Sequence, residues 1–217
     1  MNGSAFRERV SLRARKAGAD LDLAALERFE AYYRLLGQWN RKINLTALPL
    51  QDFPPRTIDR LLIEPLIAAK FVEDSTLSWF DLGSGGGSPA IPLKVVRPEI
   101  RLTMVESRTR KAAFLREAAR TLGLADTTVL EVRVEELGEA GYGGTVDLVT
   151  VRAVRTDELL LRSASSLLRS GGRLVLFRSA AAHPSHSSMT SELETAEQAA
   201  LPSGGGILHV LTKKSQS

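Results

Sequence analysis

The side chains able to do chemistry in this 217-residue chain are grouped rather than scattered. Asp81 precedes Gly83, Gly85 and Gly87 in the stretch WFDLGSGGGSP (79–89), which also carries Ser84 and Ser88, and Glu106 closes the next apolar run. Closely spaced glycines let the backbone turn tightly and approach a ligand with no Cβ in the way. Two cofactors come into question. The dinucleotide fingerprint G-x-G-x-x-G/A would start at Gly83 and needs Gly or Ala where Ser88 stands. An adenosylmethionine site instead uses acid-x-G-x-G-x-G, which Asp81, Gly83, Gly85 and Gly87 satisfy at every position. S-adenosyl-L-methionine is therefore the expected cofactor, with Glu106 placed to accept hydrogen bonds from both hydroxyls of its ribose. Glu106 alone does not discriminate, because nicotinamide enzymes put an acid at a similar place. A P-loop is excluded, since no Gly-Lys-Ser/Thr closes the glycine run.

Composition removes other chemistries. The chain has no cysteine, so disulfides, thiolate nucleophiles and zinc-cysteine centres are ruled out. His183 and His186, in the Ser-rich stretch AAAHPSHSSMTSE, have no carboxylate near them before Glu192 and are expected in solvent; no metal is expected. Ser84 and Ser88 lack a histidine partner in the nearby sequence, so no nucleophile is assigned. The net charge of +4 is unevenly spread. Arg7, Arg9, Arg13, Arg15 and Lys16 face only Glu8 near the N-terminus, and Arg108, Arg110, Lys111, Arg116 and Arg120 lie close together later. Such clusters either attract polyanions or serve as solvated helix faces. There is no run of about 18 apolar residues to span a bilayer, and the basic N-terminus has no apolar stretch behind it to act as a secretion signal. A cytoplasmic monomer with no membrane contact is expected.

The elements that must position these residues change character along the chain. Leu23, Leu26, Phe29, Tyr33 and Leu36 recur at spacings of three and four, one face of an amphipathic helix over 22–40 that Asp20 or Asp22 can cap. A second helical stretch begins near Thr57 and carries Leu61, Leu62, Leu66 and Ala69, with Pro65 expected to kink or divide it. Residues 1–75 thus read as a helical N-terminal region. From residue 77, apolar runs at 77–82, 101–106, 127–132, 146–151 and 173–177 read as strands, alternating with helices at 89–96, 108–122 and 156–168. That alternation implies right-handed crossovers and a parallel sheet, an α/β, doubly wound, Rossmann-like domain over 76–217. The glycine loop then sits at the carboxyl end of the first strand, where open α/β sheets bind ligands. Gly171 and Gly172 are expected to end a helix, 191–200 to form a short helix, and GGILHVLTKK to supply a last, edge strand.

Ordered motifs extend this reading. The stretches QWNRKINLTA (38–47), FDLGSGGGSPAIPLKVVRPE (80–99), VESRTRKAAFLREAARTLGL (105–124), VRVEEL (132–137), VTVRAV (149–154) and GGRLVLF (171–177) follow one another along the chain. In these the chain resembles the small-subunit (16S) ribosomal RNA guanine-7 methyltransferases, the family also called glucose-inhibited division protein B. The W-N-x-x-x-N-L-T element is far more specific than the glycine loop. The resemblance implies a class I adenosylmethionine-dependent methyltransferase fold with a helical extension, acting on ribosomal RNA or the small ribosomal subunit. By position, it implies that Asp81 and the loop Gly83, Ser84, Gly85, Gly87 and Ser88 hold the methionine part of the cofactor, Glu106 and Ser107 the ribose, and Val134 and Glu135 the adenine. Arg152 would lie beside cofactor and RNA as the catalytic candidate that orients the guanine. Lys42, Asn44 and Thr46 would shape the substrate side, with Arg110, Lys111 and Arg155 on phosphates. Guanine N-7 carries a free lone pair, so no base need remove a proton first; positioning and electrostatics carry the reaction.

The chain departs from the family pattern at four places. Where the family has a His-x-x-x-Asp-Ser-like segment before the first strand, this chain has DRLLIEP, with Arg60, Ile63 and Glu64. Ser88, Pro89 and Ala90 stand in for an apolar residue followed by Pro-Gly, Glu106 for an Asp, and Phe177, Arg178 and Ser179 for Leu-Lys-Gly. These departures bear on the substrate more than on the fold. They leave open a methyltransferase with another target, a non-catalytic RNA-binding relative, and a nucleotide-binding oxidoreductase of similar architecture.

Overall fold

A computed structural model of the protein describes residues 2–138, 140–152, 158–178, 191–202, 204 and 206–215. Helix α1 (Gly3–Lys16) begins where the Asn2 side chain accepts from the Ser4 N–H. Helix α2 (Leu23–Asn40) begins where Asp22 accepts from the Ala25 N–H at 2.7 Å, so Asp22 rather than Asp20 is its cap. After an irregular stretch at 41–54 the second expected helix is divided into α3 (Pro55–Ile58), a π-helical turn (Asp59–Ile63) and α4 (Glu64–Ala69). Pro65 supplies the physical reason. It has no N–H to offer the Leu61 carbonyl, and the widened turn sends the Glu64 N–H to the carbonyl of Asp59. The carbonyls of Arg60 and Leu61 are thereby left for tertiary partners.

Strands β1 (Ser78–Leu82), β2 (Arg101–Val105), β3 (Thr127–Leu130), β4 (Val146–Arg152) and β5 (Leu168–Arg178) alternate with α5 (Ala90–Val96), α6 (Thr109–Thr121), a 3-10 turn (Val134–Leu137) and α7 (Glu158–Leu167). With β6 (Leu193–Ala200) and β7 (Ile207–Lys213) they make one seven-stranded sheet of order β3-β2-β1-β4-β5-β7-β6, in which β7 runs antiparallel to both its neighbours. This is the expected doubly wound α/β arrangement. On one face Phe6, Phe29, Tyr32, Ile91 and Phe114 from α1, α2, α5 and α6 share a core with Trp79, Met104 and Val175 of the sheet. On the other, Leu137 and the α7 residues Leu160, Leu161 and Ala164 pack with Phe80, Leu82, Val149 and Leu176. The N-terminal helices therefore bury their apolar face against the sheet itself, which brings α2 and the segment after it over the carboxyl ends of the strands.

Three expectations near the C-terminus are corrected. Residues 193–200 are strand and not helix: β6 pairs with β7 from Leu193 opposite Lys213 to Ala200 opposite Ile207. Ala and Glu favour helix locally, but the open edge of β7 offers a ladder of backbone hydrogen bonds, and tertiary context overrides propensity. In consequence β7 lies inside the sheet and β6 is the edge. Helix α7 ends at Leu167, ahead of the two glycines; these fall in an irregular part of β5 between the pairings Val146 to Leu168 and Leu148 to Arg173, where Gly171 adopts φ 76°. His183 and His186 lie outside the described residues. Among the described residues no cluster of three acidic or histidine side chains could hold a metal ion, and no helix is long and apolar enough to cross a membrane.

Candidate functional site

The carboxyl ends of the central strands open onto a cavity of about 710 Å³ whose floor is the glycine loop. The N–H groups of Gly83 and Ser84 both donate to the carbonyl of Val105, at 2.9 and 3.0 Å, so the loop leaves β1 still tied to β2. Gly85 and Gly87 have φ of 52° and 85°, the left-handed region that favours glycine. Their reasons differ. A Cβ at Gly87 would run into the Ile91 side chain, whereas at Gly85 the nearest protein atom would be 3.7 Å away. Gly87 serves packing on α5, and Gly85 leaves room on the cavity side. From outside, α2 clamps the loop: Tyr32 Oη donates to the Gly86 carbonyl at 2.6 Å.

Two carboxylates flank this floor. Glu106 accepts from the Gly85 N–H on Oε2 and from the Arg108 N–H on Oε1, each at 2.9 Å. A carboxylate offers about four acceptor positions. Two remain on Glu106, at the cavity wall, for a pair of hydroxyls. Asp81 lies deeper and is 1% exposed. Its Oδ1 accepts from the Thr150 hydroxyl at 2.5 Å, and the Thr150 oxygen accepts from the Trp79 indole N–H at 2.8 Å. Oδ2 has no hydrogen-bond partner. Burial pushes the Asp81 carboxyl up to about 6, against the hydrogen bond from Thr150 and the charge of Arg152. An unsatisfied buried acceptor beneath a glycine loop suits a cationic ligand, and adenosylmethionine carries an ammonium and a sulfonium. With the open face at Gly85 and the free positions on Glu106, the residues fit that cofactor.

Arg152, at the end of β4, forms the third part. Its Nη1 donates to the Arg60 carbonyl and, at 3.1 Å, to Ser88 Oγ. Its Nη2 lies 3.0 Å from Glu64 Oε2, and the guanidinium carbon is 3.9 Å from the centre of the Phe177 ring. Arg60 Nη1 donates to the same Glu64 oxygen at 3.0 Å, and Ser88 Oγ donates to the Leu61 carbonyl at 2.8 Å. The two carbonyls released by Pro65 are thus taken by Arg152 and Ser88. Burial pushes the Arg152 pKa down to about 9, with the charge of Glu64 opposing, so the group remains a cation at neutral pH.

Over residues 25–209 the chain matches the family described as rRNA small subunit methyltransferase G (GidB). The chain belongs to this family. It is 37% identical over 198 residues to a Stenotrophomonas maltophilia protein named ribosomal RNA small subunit methyltransferase G, covering 90% of each. A Roseiflexus protein of the same name is 35% identical over 198 residues, covering 91% of this chain and 80% of that one. Among solved structures, TrmN from Thermus thermophilus matches with a TM-score of 0.56 at 18% identity, covering 69% of this chain and 48% of that one. A putative methyltransferase, yhhF from Escherichia coli, matches with a TM-score of 0.52 at 14% identity, covering 64% and 78%. The fold is that of the class I methyltransferases, and adenosylmethionine is the cofactor.

Within this methyltransferase the cavity gathers Thr46, Gly83, Ser84, Gly85, Ser88, Glu106, Ser107, Lys111, Val134, Glu135 and Arg152. Asp81 and Gly87 are buried supports of the loop. Lys42, Asn44 and Arg110 are exposed and outside the lining, and Arg155 lies outside the described residues. Arg60 and Arg108, noted in the DRLLIEP segment and the second basic cluster, also line the cavity, as do Leu36, Leu45, Leu61 and Arg133, which spacing alone does not single out as site residues. Asn40 is a further omission. Its side-chain oxygen accepts from the N–H groups of Leu45 and Thr46, each at 2.9 Å, and its amide donates to the Thr46 carbonyl at 3.1 Å. It thereby fixes the wall that Leu45 to Leu48 present, and its signal lay in the W-N-x-x-x-N-L-T element. The N-terminal basic cluster is drawn inward. Arg7 pairs with Glu30 at 2.6 Å, Arg13 makes a double hydrogen bond to Asp59, and Arg9 donates to the Phe53 carbonyl at 3.0 Å. Burial of Phe6, Val10 and Ala14 along α1 sets Arg7 against α2, Arg13 against the π turn and Arg9 against the 41–54 segment, leaving Arg15 and Lys16 exposed.

Proposed function

We propose that this methyltransferase methylates N-7 of a guanine in the 16S RNA of the small ribosomal subunit. The charge of the cofactor cavity carries this reading: Arg108, Lys111, Arg133 and Arg152 in its wall outnumber Glu106 and Glu135. A cofactor that is itself cationic does not call for such a wall, whereas a polyanionic substrate does. The names of the relatives support the ribosomal target.

When bound, adenosylmethionine supplies a methyl carbon that bonds to N-7 as its bond to sulfur breaks, leaving adenosylhomocysteine. N-7 attacks with its own lone pair, so the residues of the chain have only to bind, orient and exclude water. Glu106 with Ser107 holds the ribose, Val134 and Glu135 border the adenine, and the loop from Gly83 to Ser88 receives the methionine segment. Leu36, Leu45 and Leu61 supply an apolar surround that strengthens electrostatic orientation. Thr46 faces the substrate side with Lys42 and Asn44 at the rim, and Arg110, Lys111 and Arg155 meet phosphates. Arg152 orients the guanine indirectly, by fixing Ser88 and the Arg60 segment. The protein acts as a cytoplasmic monomer, which light scattering and cell fractionation check. The test of the activity is tritiated adenosylmethionine with small subunits, naked ribosomal RNA and cell lysate. Label in small-subunit RNA recovered as 7-methylguanosine is expected; label confined to protein or small molecules overturns the RNA reading.

A further inference from the structure

Three of the four departures from the family pattern meet at one place. Arg60 and Glu64, Ser88, and Phe177 come from three separate segments and all contact Arg152. The two guanidiniums in this cluster are not equivalent. Arg152 has Nη1 shared between the Arg60 carbonyl and Ser88, Nη2 beside Glu64 and one face against Phe177. Arg60 makes a single side-chain hydrogen bond among the described residues, through Nη1, and is 23% exposed against 5% for Arg152. Two guanidiniums share the one buried carboxylate of Glu64, and Arg152 also feels the charge of Asp81. Both line the cavity; Arg152 keeps Nε and Nη2 without hydrogen-bond partners but buried, whereas Arg60 is the more exposed of the two and has its own Nε and Nη2 left for a ligand.

The strand order says which part of the cofactor lies there. Glu106 directly follows β2 and Val134 follows β3, so the adenosyl half lies toward the β3 side of the sheet. The methionine half must then extend the other way, over β1 and β4, where Ser88, Arg60 and Arg152 stand. That half carries the cofactor's one anionic group, a carboxylate, which in a partly buried pocket requires a charged donor. We propose that Arg60 binds the methionine carboxylate of adenosylmethionine through its Nε and Nη2 donors, with Glu64 as the positioning residue that holds Arg60 in place. This rests on the adenosylmethionine reading of the glycine loop and is independent of which base is methylated.

The test is calorimetry of Arg60→Met with two probes: S-adenosylhomocysteine, and 5′-methylthioadenosine, which keeps the adenosine and thioether but lacks the amino-acid end. Removing Arg60 leaves Glu64 still paired with Arg152, and the fold is expected to persist. Adenosylhomocysteine should bind about ten- to a hundredfold more weakly, the loss of one charged hydrogen-bond pair, while methylthioadenosine changes by less than about twofold. Arg60→Lys should recover part of the loss, and Glu64→Gln should weaken adenosylhomocysteine alone. Unchanged adenosylhomocysteine affinity in Arg60→Met overturns the proposal, and if the KM for RNA rises at the same time, Arg60 serves the substrate instead. Equal losses for both probes overturn it too, since the pocket as a whole is then disturbed. Failure of the unmodified protein to bind either probe would remove the cofactor reading itself.

Discussion

Replacing Asp81 with asparagine asks how much the ligand-free protein is destabilised by a carboxylate it keeps beneath the glycine loop. Burial raises this carboxyl from 3.8 to about 6, so the folded chain holds the proton more tightly than the unfolded chain. The stabilisation that comes with the proton is complete below about pH 4 and is lost as the pH rises through 6. At about 1.4 kcal/mol per unit, the ligand-free protein at pH 7.5 is about 3 kcal/mol less stable than with Asp81 neutral. Asp81→Asn removes the charge, keeps an acceptor for Thr150 and leaves its amide without a partner, a loss of about 1–3 kcal/mol that does not vary with pH. Urea unfolding of both proteins between pH 4 and 8 separates the two effects. The difference in unfolding free energy should move by about 2 kcal/mol in favour of the variant across that range, mostly between pH 4 and 6. A difference independent of pH, or one that favours the unmodified protein as pH rises, refutes the reasoning. Because the cofactor is cationic, its binding to the unmodified protein should tighten over the same window and stay flat in the variant.

Gly85→Val should fold, since a Cβ there meets no protein atom closer than 3.7 Å, with backbone strain of about 1–2 kcal/mol at φ 52°. Adenosylhomocysteine binding by calorimetry should be lost, and unchanged affinity would show that the cofactor lies elsewhere. Asn40→Ala removes three hydrogen bonds to Leu45 and Thr46 and should lower stability by about 2 kcal/mol. Its KM for RNA should rise more than its cofactor dissociation constant, and equal stability with unchanged KM would deny Asn40 this role. Arg110→Gln and Lys111→Gln should each reduce the slope of log affinity for RNA against log salt by about one. A slope that stays at the unmodified value would remove these residues from phosphate contact.

Much of the site was legible in the residue order because its parts are contiguous. Asp81, Gly83, Gly85 and Gly87 belong to one turn, and the apolar runs around them mark strands whose both faces are covered. Glu106 follows from the same alternation, one strand later. Elsewhere the pattern misled or stayed silent. LETAEQAA has helix-forming composition, yet it is a strand because β7 presents an open edge to it. Asn40 was visible in its motif, but it works on backbone groups, so nothing about its side chain announced a ligand.

Spacing determined the cofactor, the doubly wound sheet and the division of the helix at Pro65, because those follow from forces acting within a turn or a strand. Only the tertiary structure decided what that division is for. It releases the carbonyls of Arg60 and Leu61, and Arg152 and Ser88 from distant segments take them up. Which arginine is the more buried and which keeps the more exposed donors depends on where Glu64 and Phe177 come to rest. That is set by the packing of α4 and β5 against the sheet, a balance of burial and charge that no local spacing records.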